Sequence, residues 1–329
     1  MRSTTMQIKL YTNSKDLPQL LPGNIQHTAL MFRALEESRH AKPYIFVAYE
    51  NEKELAHLII IEKRNNFLGI PLPGKHYKIY GEGCYREDCC NREEIYSRFI
   101  EEFFKIIDTT HCYTEIKTIE DPRFAYSTLS RRHFIPVRDH RIYISLHSKA
   151  PEERLSKRYH SHIRKAQERG ASYRTATTSE EIEKALHLLK NYYRSKVRRP
   201  SPNISILKKL LTDEGQSNAR LFIVEYRGKM IGCSICTYDK QRAYLAYSCG
   251  LRKSHPTLYP GIVAAWAAIE DAHRNGYAHI EFLESRTLAG IRSGYKNFLL
   301  NFGGKQVSTL RWYRFGWNFL NKILRRIYV

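Results

Sequence analysis

The sequence predicts an α/β (α+β) chain of two domains, each a mixed, mostly antiparallel sheet flanked by helices. Residues 243–304 carry the strongest signal: AYLAYSCGL reads as a strand, IVAAWAAIEDAHRNG as a helix and YAHIEFLES as a second strand. The first half gives a similar order of strand, helix, hairpin, helix and strands. A length of 329 residues fits two domains, and SKAPE at 148–152 is a natural boundary because Pro151 suits the start of a helix. The expected division is 1–150, 151–310 and a basic aromatic tail at 311–329.

In chain order, MQIKLY at 6–11 is strand-like, and a helix follows 24–26 with Ala29, Phe32, Ala34 and Leu35 partly on one side. Tyr44–Tyr49 and Leu55–Ile61 form a hairpin across Glu50, Asn51 and Glu52. Pro71, Pro73 and Gly74 break the pattern, and Ile95, Phe99, Phe103 and Ile106 then mark a helix over 92–107. His111–Ile119 and Arg141–Leu146 are strand-like. One helix is expected from Pro151 to Arg169, stopped by Gly170, with Leu155, Tyr159, Ile163 and Ala166 as its buried stripe. Thr178 and Glu181 have capping-box spacing, and Ile182, Leu186, Leu189 and Tyr193 continue that helix. The cationic RSKVRRPSP is expected to be a loop because of its prolines. A short helix at 204–214 leads into a meander of Leu221–Tyr226, Lys229–Thr237 and Ala243–Cys249. In the helix after it, Pro260 suits the first turn, Ile262, Trp266, Ile269 and His273 follow one face, and Gly276 is a natural stop.

Net charge is +21 and unevenly placed. Lys and Arg nearly balance Asp and Glu over 1–150 (22 against 19) but outnumber them 32 to 14 over 151–329. Phosphates, RNA or an anionic bilayer would attract that half. No apolar run approaches the roughly 20 residues of a membrane span, and MRSTTMQIKLY lacks the apolar core of a signal peptide. A cytoplasmic protein is expected, with peripheral contact at the inner membrane face. Seven cysteines without repeating spacing argue against a disulfide framework. In the tail, aromatic and aliphatic residues alternate with Arg311, Arg314, Lys322, Arg325 and Arg326. That composition suits either an interfacial helix on an anionic membrane or a terminal helix docked on the core.

Several chemistries are excluded by pattern. Cys233 and Cys236 have C-x-x-C spacing, but on a strand they face opposite sides, so no metal site is expected there. His160 and His162 lie about 200° apart on a helix. The sequence has no complete phosphate-binding glycine loop and no G-x-S-x-G elbow. What remains is the loop carrying Arg252 and Lys253 into a helix amino end, where free N–H groups and a partial positive charge suit an anion. An ordinary βαβ unit with solvated loop charges fits the same residues.

Tyr259-Pro260-Gly261, the helix closing on Asn275-Gly276, the pair Tyr295-Lys296, the Phe302-Gly303-Gly304 turn and SHIRKAQERG at 161–170 together carry a resemblance. They resemble the second half of the Fem-type and BioF2-like acyltransferases, a tandem branch of the GNAT superfamily. The resemblance spans about residues 20–305 and is strongest from 150 onward. The glycine-rich pyrophosphate loop of ordinary GNAT enzymes, Gln/Arg-x-x-Gly-x-Gly/Ala, is not intact here.

The resemblance implies two GNAT-like domains, a catalytically silent first domain and acyl transfer without a covalent intermediate. An attacking amine needs a base, a donor for the oxyanion and a fixed acyl donor. Glu284 and Glu281 near the end of the last strand are the candidate bases, directly or through water, and Tyr247 and Tyr259 the candidates to protonate the leaving group or hydrogen-bond the donor, a solvated strand face and buried aromatics fitting the same residues. Lys296 is expected at a phosphate or the carbonyl oxygen. Arg252, Lys253, Tyr259, Pro260, Gly261 and Ile262 would hold acyl-CoA, and Arg164, Lys165, Arg198, Arg199 and Tyr295 a longer anionic substrate. Acceptors in keeping with this are an amino sugar, an amino acid or a cell-envelope precursor. Fem-type enzymes instead take aminoacyl-tRNA and act on lipid-linked cell-wall precursors, which is the second expectation. Those with tRNA substrates often carry a coiled-coil arm, and no long heptad segment is present. A non-catalytic nucleic-acid or envelope-binding protein is the third.

Overall fold

The computed structural model describes residues 6–328 except 39–40, 68–69, 108–110, 120, 198–202, 213–217 and 283–292, and describes only the backbone at 65–67, 70–73, 196–197 and 293–295. In chain order the principal elements begin with β1 (Gln7–Tyr11), α1 (Ala29–Glu36), β2 (Ala41–Glu50), β3 (Lys53–Phe67), β4 (Ile70–Tyr80) and β5 (Cys84–Tyr85). Then come α2 (Arg92–Ile106), β6 (Tyr113–Lys117), α3 (Tyr126–Arg131), β7 (Ile135–Ser145), α4 (Pro151–Arg154), α5 (Lys157–Glu168) and β8 (Ser172–Thr175). They continue with α6 (Ser179–Tyr192), α7 (Ile204–Thr212), β9 (Ala219–Tyr226), β10 (Lys229–Tyr238), β11 (Arg242–Gly250) and α8 (Pro260–Arg274). The last are β12 (His279–Phe282), α9 (Ser293–Leu300), β13 (Lys305–Phe315) and α10 (Asn318–Tyr328).

Two compact units result: residues 1–139 with 308–329, and residues 140–307. Each is a mixed sheet with one parallel step. In the first the order is β1-β2-β3-β4-β6-β13, with β4 and β6 parallel and α2 as the crossover between them. In the second it is β8-β9-β10-β11-β12-β7, with β11 and β12 parallel and α8 as the crossover. The strand patterns correspond one to one. Each unit closes its sheet with an antiparallel strand from elsewhere in the chain, β13 beside β6 and β7 beside β12. The units thus divide at 139/140 and 307/308, whereas the sequence reading divides at 150 and 310.

The first unit packs α2 and α3 over its sheet around Ile60, Tyr96, Phe99, Phe103, Ile116 and Trp312. The second packs α8 and α9 around Ile144, Tyr238, Leu245, Trp266, Ile269 and Phe302. Local chemistry sets the helix ends. Thr178 and Glu181 form a reciprocal capping box on α6, and Gly276, at φ +76°, terminates α8.

Some elements differ from the sequence reading. The helix expected over 151–169 is two: the chain turns extended at Leu155, and Ser156 then caps α5 by accepting from Tyr159 N–H, while its own N–H donates to Asn301 O. The prolines at 71 and 73 lie within β4, which pairs with β3 from Phe67 opposite Ile70. Residues 193–197 continue α6 as a π-helical turn rather than a loop. Residues 311–315 are no part of a free tail. They pair with β6, Trp312 is fully buried, and Arg311 donates to Glu115 (2.9 Å) and Asp139 (3.2 Å).

A buried histidine pair lies in the first unit. His57 sets Nδ1 2.5 Å from Glu54 Oε1 and Nε2 2.8 Å from His27 O. Both partners only accept, so both ring nitrogens donate and the ring is an imidazolium. His27 donates Nε2–H to Tyr80 O (2.6 Å) and accepts Ile59 N–H at Nδ1 (3.0 Å), so it is neutral. Burial alone would lower the pKa of His57, but Cys84 and Glu54 outweigh it and raise it to about 9. Burial, then the His57 charge, lowers His27 to about 3. The unfolded value is 6.5 for both. The stability from His57 is therefore full below pH 6.5 and lost as pH rises through about 9. That from His27 is full above pH 6.5 and lost as pH falls through about 3. In urea titrations, unfolding free energy is expected to fall by about 3 kcal/mol on the alkaline side, and His57→Gln to abolish that fall. An unchanged alkaline slope in the variant would count against the buried imidazolium.

Candidate active site

The site is built at the amino end of α8. β11 pairs with β12 only over Arg242–Leu245, opposite His279–Phe282, and then runs on to Gly250. Among the described residues no strand pairs with that edge of 246–250. On its other edge β11 follows β10, with a bulge where Leu245 and Tyr247 face Cys236 and Ile235. Beyond Leu245, β11 runs on past the start of α8, and residues 283–292, which follow β12, lie outside the described residues.

Close approach places α8 there. A Cβ on Gly250 would lie 2.2 Å from Gly261 N and 2.7 Å from Pro260 C, and one on Gly232 3.0 Å from Pro260 O. Ala264, Ala265, Ala267, Ala268 and Ala272 let the rest of the helix sit low on the sheet, all buried. Ser234 Oγ donates to Ala264 O (2.6 Å), Arg220 Nη1 to both Asp271 oxygens (2.9 and 2.8 Å), and Tyr238 OH to Asp271 Oδ2 (2.7 Å). α8 is thus buried nearly all round in its middle, while His273, expected on its buried face, is exposed.

Tyr259 caps the helix in the left-handed region, at φ +44° and ψ +47°. His162 of α5 stacks on its ring, with centroids 3.8 Å apart and planes 9° from parallel. On α5 the positions 158, 162, 165 and 169 fall on one stripe. Arg169 Nη1 donates to Thr257 O (3.1 Å), which fixes the loop before α8. Burial first, then the charges of Arg158, Lys165 and Arg252, lowers the pKa of His162. Its Nδ1 has no hydrogen-bond partner among the described residues. The stack was not legible in the sequence, because its rings come from distant segments.

The placement of the expected residues is as follows. Arg252 and Lys253 are exposed in the loop, with no acid paired to them among the described residues. Among the described residues Gly261 N–H has no backbone partner, but Ile262 and Val263 N–H both turn back to Tyr259 O (2.8 and 3.1 Å). The anion-binding role expected of the Ile262 N–H is thereby reduced, and Pro260 has no N–H to offer. Lys165 lies on the cationic stripe. Arg164 lies off it, paired with Glu168 at 3.5 Å. Tyr247 is half-buried on β11 beyond its described pairing with β12, its ring edge-on to Tyr193 at 5.7 Å. Lys296 is half-buried on α9. Glu281 is buried between Arg141 (3.3 Å) and Arg242 (3.5 Å), which suits an ion-paired anchor better than a base. Glu284, Arg198 and Arg199 lie outside the described residues, as does the side chain of Tyr295. No group of His, Cys, Asp and Glu suited to a metal occurs among the described residues. Cys233 instead faces Cys249 across the strands, sulfur to sulfur 3.3 Å, with that thiol first and burial second raising its pKa.

The corresponding place in the first unit is filled. Gly81 N–H donates to Lys117 O (2.8 Å), and the buried Glu82 takes Ile119 N–H on Oε1 (3.1 Å) where β4 and β6 end. The first turn of α2 carries Glu93 and Glu94, whereas that of α8 carries no acid. Acids at a helix amino end satisfy its positive pole and repel an anionic ligand.

Residues 153–297 match the model of the acetyltransferase (GNAT) domain. No curated protein matches the chain by sequence. Among solved structures it resembles FemX, with TM-score 0.66 at 11% identity over 95% of this chain and 96% of that one. It also resembles L-PGS from Bacillus licheniformis, with TM-score 0.58 at 10% identity over 91% and 92% of the two chains. A third likeness is to a tandem GNAT protein from the clavulanic acid biosynthesis pathway, with TM-score 0.56 at 10% identity over 95% and 99%. The second unit is a GNAT acyltransferase domain, and the chain as a whole has the Fem-type tandem GNAT fold.

Gly250→Ala is expected to cost about 1–3 kcal/mol, because only backbone faces the new methyl. Gly261→Ala, whose Cβ would meet nothing nearer than 3.9 Å, should leave the melting temperature unchanged. Equal melting temperatures for the two variants would show that close approach does not fix α8.

Proposed function

We propose that the second unit transfers an acyl group from acyl-CoA to an amine acceptor. The observation that carries this reading is the acid-free amino end of α8, with Arg252 and Lys253 exposed in the loop before it. Gly261 N–H and these two side chains suit the donor's pyrophosphate, and the backbone of β11 beyond Leu245 would meet its pantetheine amides. The amine nitrogen would attack the thioester carbon as Glu284 takes its proton. The C–S bond then breaks, and Tyr247 would protonate the departing sulfur. Lys296 would hold the carbonyl oxygen or a phosphate. With the corresponding place filled by Glu82, the first unit is read as non-catalytic. The acceptor is an amino sugar, an amino acid or a cell-envelope precursor.

A second reading, an aminoacyl-tRNA-dependent transferase acting on a cell-wall precursor, is favoured by the stripe of Arg158, Lys165 and Arg169, all exposed on α5. Arg198 and Arg199 would extend such a surface, and Arg164 and Tyr295 would serve a long substrate from its margins. A binding protein without turnover is the third.

Titration with CoA and with tRNA over a series of salt concentrations separates these readings. The first expects CoA binding that Arg252→Ala weakens about tenfold. It also expects acetyl-CoA turnover with an amine that Lys296→Ala and Glu284→Gln each lower by about 100-fold or more, with unchanged melting temperature. Tight tRNA binding with a steep salt slope, and no CoA binding, would sink it in favour of the second.

A further inference from the structure

Helix α10 carries a row of large apolar side chains that nothing in its own unit covers: Phe319 is 61% exposed, Ile323 51% and Ile327 66%. At a spacing of four they form one continuous stripe. Its opposite side holds the helix to the first unit. Asn321, buried, accepts Phe315 N–H (2.9 Å) and donates to Phe315 O (2.7 Å), and Arg325 donates to Ser130 O (3.1 Å). Leu320 and Leu324 are half-buried on that same side with Asn321 and Arg325, while Phe319, Ile323 and Ile327 face outward.

We propose that α10 is a docking surface for an anionic lipid bilayer, a property independent of the transfer chemistry. Charge complementarity identifies the occupant. The exposed Lys322 and Arg326 border the stripe, and residues 285–329 contain no Asp or Glu. Trp317, 52% exposed, and Tyr328 stand at the two ends, where indole and phenol rings suit the headgroup level. Eleven residues make a helix of about 16 Å, far short of the roughly 30 Å hydrocarbon core. The helix therefore lies along the surface, with the stripe in the acyl boundary and the cations among the phosphates.

The test uses the full chain with vesicles of phosphatidylcholine, alone or mixed with phosphatidylglycerol, read by co-sedimentation and tryptophan emission. Trp266 and Trp312 are buried, so a shift in emission reports Trp317. The expected result is retention by the mixed vesicles with a blue shift. Phe319→Ser/Ile323→Ser/Ile327→Ser should abolish both, and Lys322→Gln/Arg326→Gln should reduce retention ~10-fold. All five positions are exposed, so the variants should fold as the parent does. Three results would overturn the proposal: no retention of the parent, equal retention of the triple variant, or a parent that is dimeric by light scattering while the triple variant is monomeric. The last would assign the stripe to a second copy of the chain.

Discussion

Everything at the candidate site depends on how closely the start of α8 approaches the ends of β10 and β11. Side chains of ordinary size at 232 or 250 would hold the helix off the sheet, since the atoms they would meet are backbone and cannot swing aside. Having come close, the helix is held by polar groups facing the sheet. Asp271, between Arg220 and Tyr238, anchors its later turns, and Ser234 reaches a carbonyl within it. Such a network is rigid only while every member is satisfied, which ties the helix to β9 and β10 at once. The orientation of Tyr259, and with it the stack on His162, follows from that seat.

The two units show what one strand order can become. Each has a parallel step with a helix crossing over it, and in each the parallel strands end near that helix's amino end. In the first unit the chain's own carboxylate fills the end of the step, and acids occupy the first helical turn. In the second the first helical turn carries no acid and its surroundings are cationic. The charge asymmetry between the two halves of the sequence thus has a local counterpart at equivalent places in the fold. A helix amino end is positive in any protein, and whether it is available to a ligand depends on what the chain has already placed there.

Much of this was legible before the structure. Pro260 and Gly276 bracket α8, Thr178 and Glu181 begin α6, and the turns at 50–52 and 227–228 carry Asn51 and Gly228, which tolerate positive φ. These are local signals acting over a few bonds. What was not legible depended on distant partners. The break at Leu155 and Ser156 requires the carbonyl of Asn301 to receive a backbone N–H. Tyr259 and His162 meet only once α5 lies against α8. Glu281 looked like a free acid because Arg141 and Arg242 come from two other strands. Trp312 and Arg311 read as part of a terminal helix, docked or interfacial, rather than a strand, since nothing local shows that β6 will pair with them.

The geometry at α8 also bears on how ligand binding should be interpreted. A glycine-rich loop cradles phosphate with several backbone N–H groups, which salt screens little at such short range. Here two of the first N–H groups are turned inward to Tyr259 O, leaving Gly261 and side-chain cations. Binding that relies on exposed lysine and arginine is weakened by salt whatever the ligand. Salt sensitivity alone therefore cannot distinguish a small pyrophosphate donor from a nucleic acid. What differs is the number of counterions released. A single-site donor meets the few charges around Arg252, whereas a polyanion engages the α5 stripe as well, and each added phosphate steepens the logarithmic slope. The slope, compared between the parent and a variant lacking Arg158 and Lys165, counts the contacts: a donor held only at α8 leaves it unchanged, and a chain of phosphates does not.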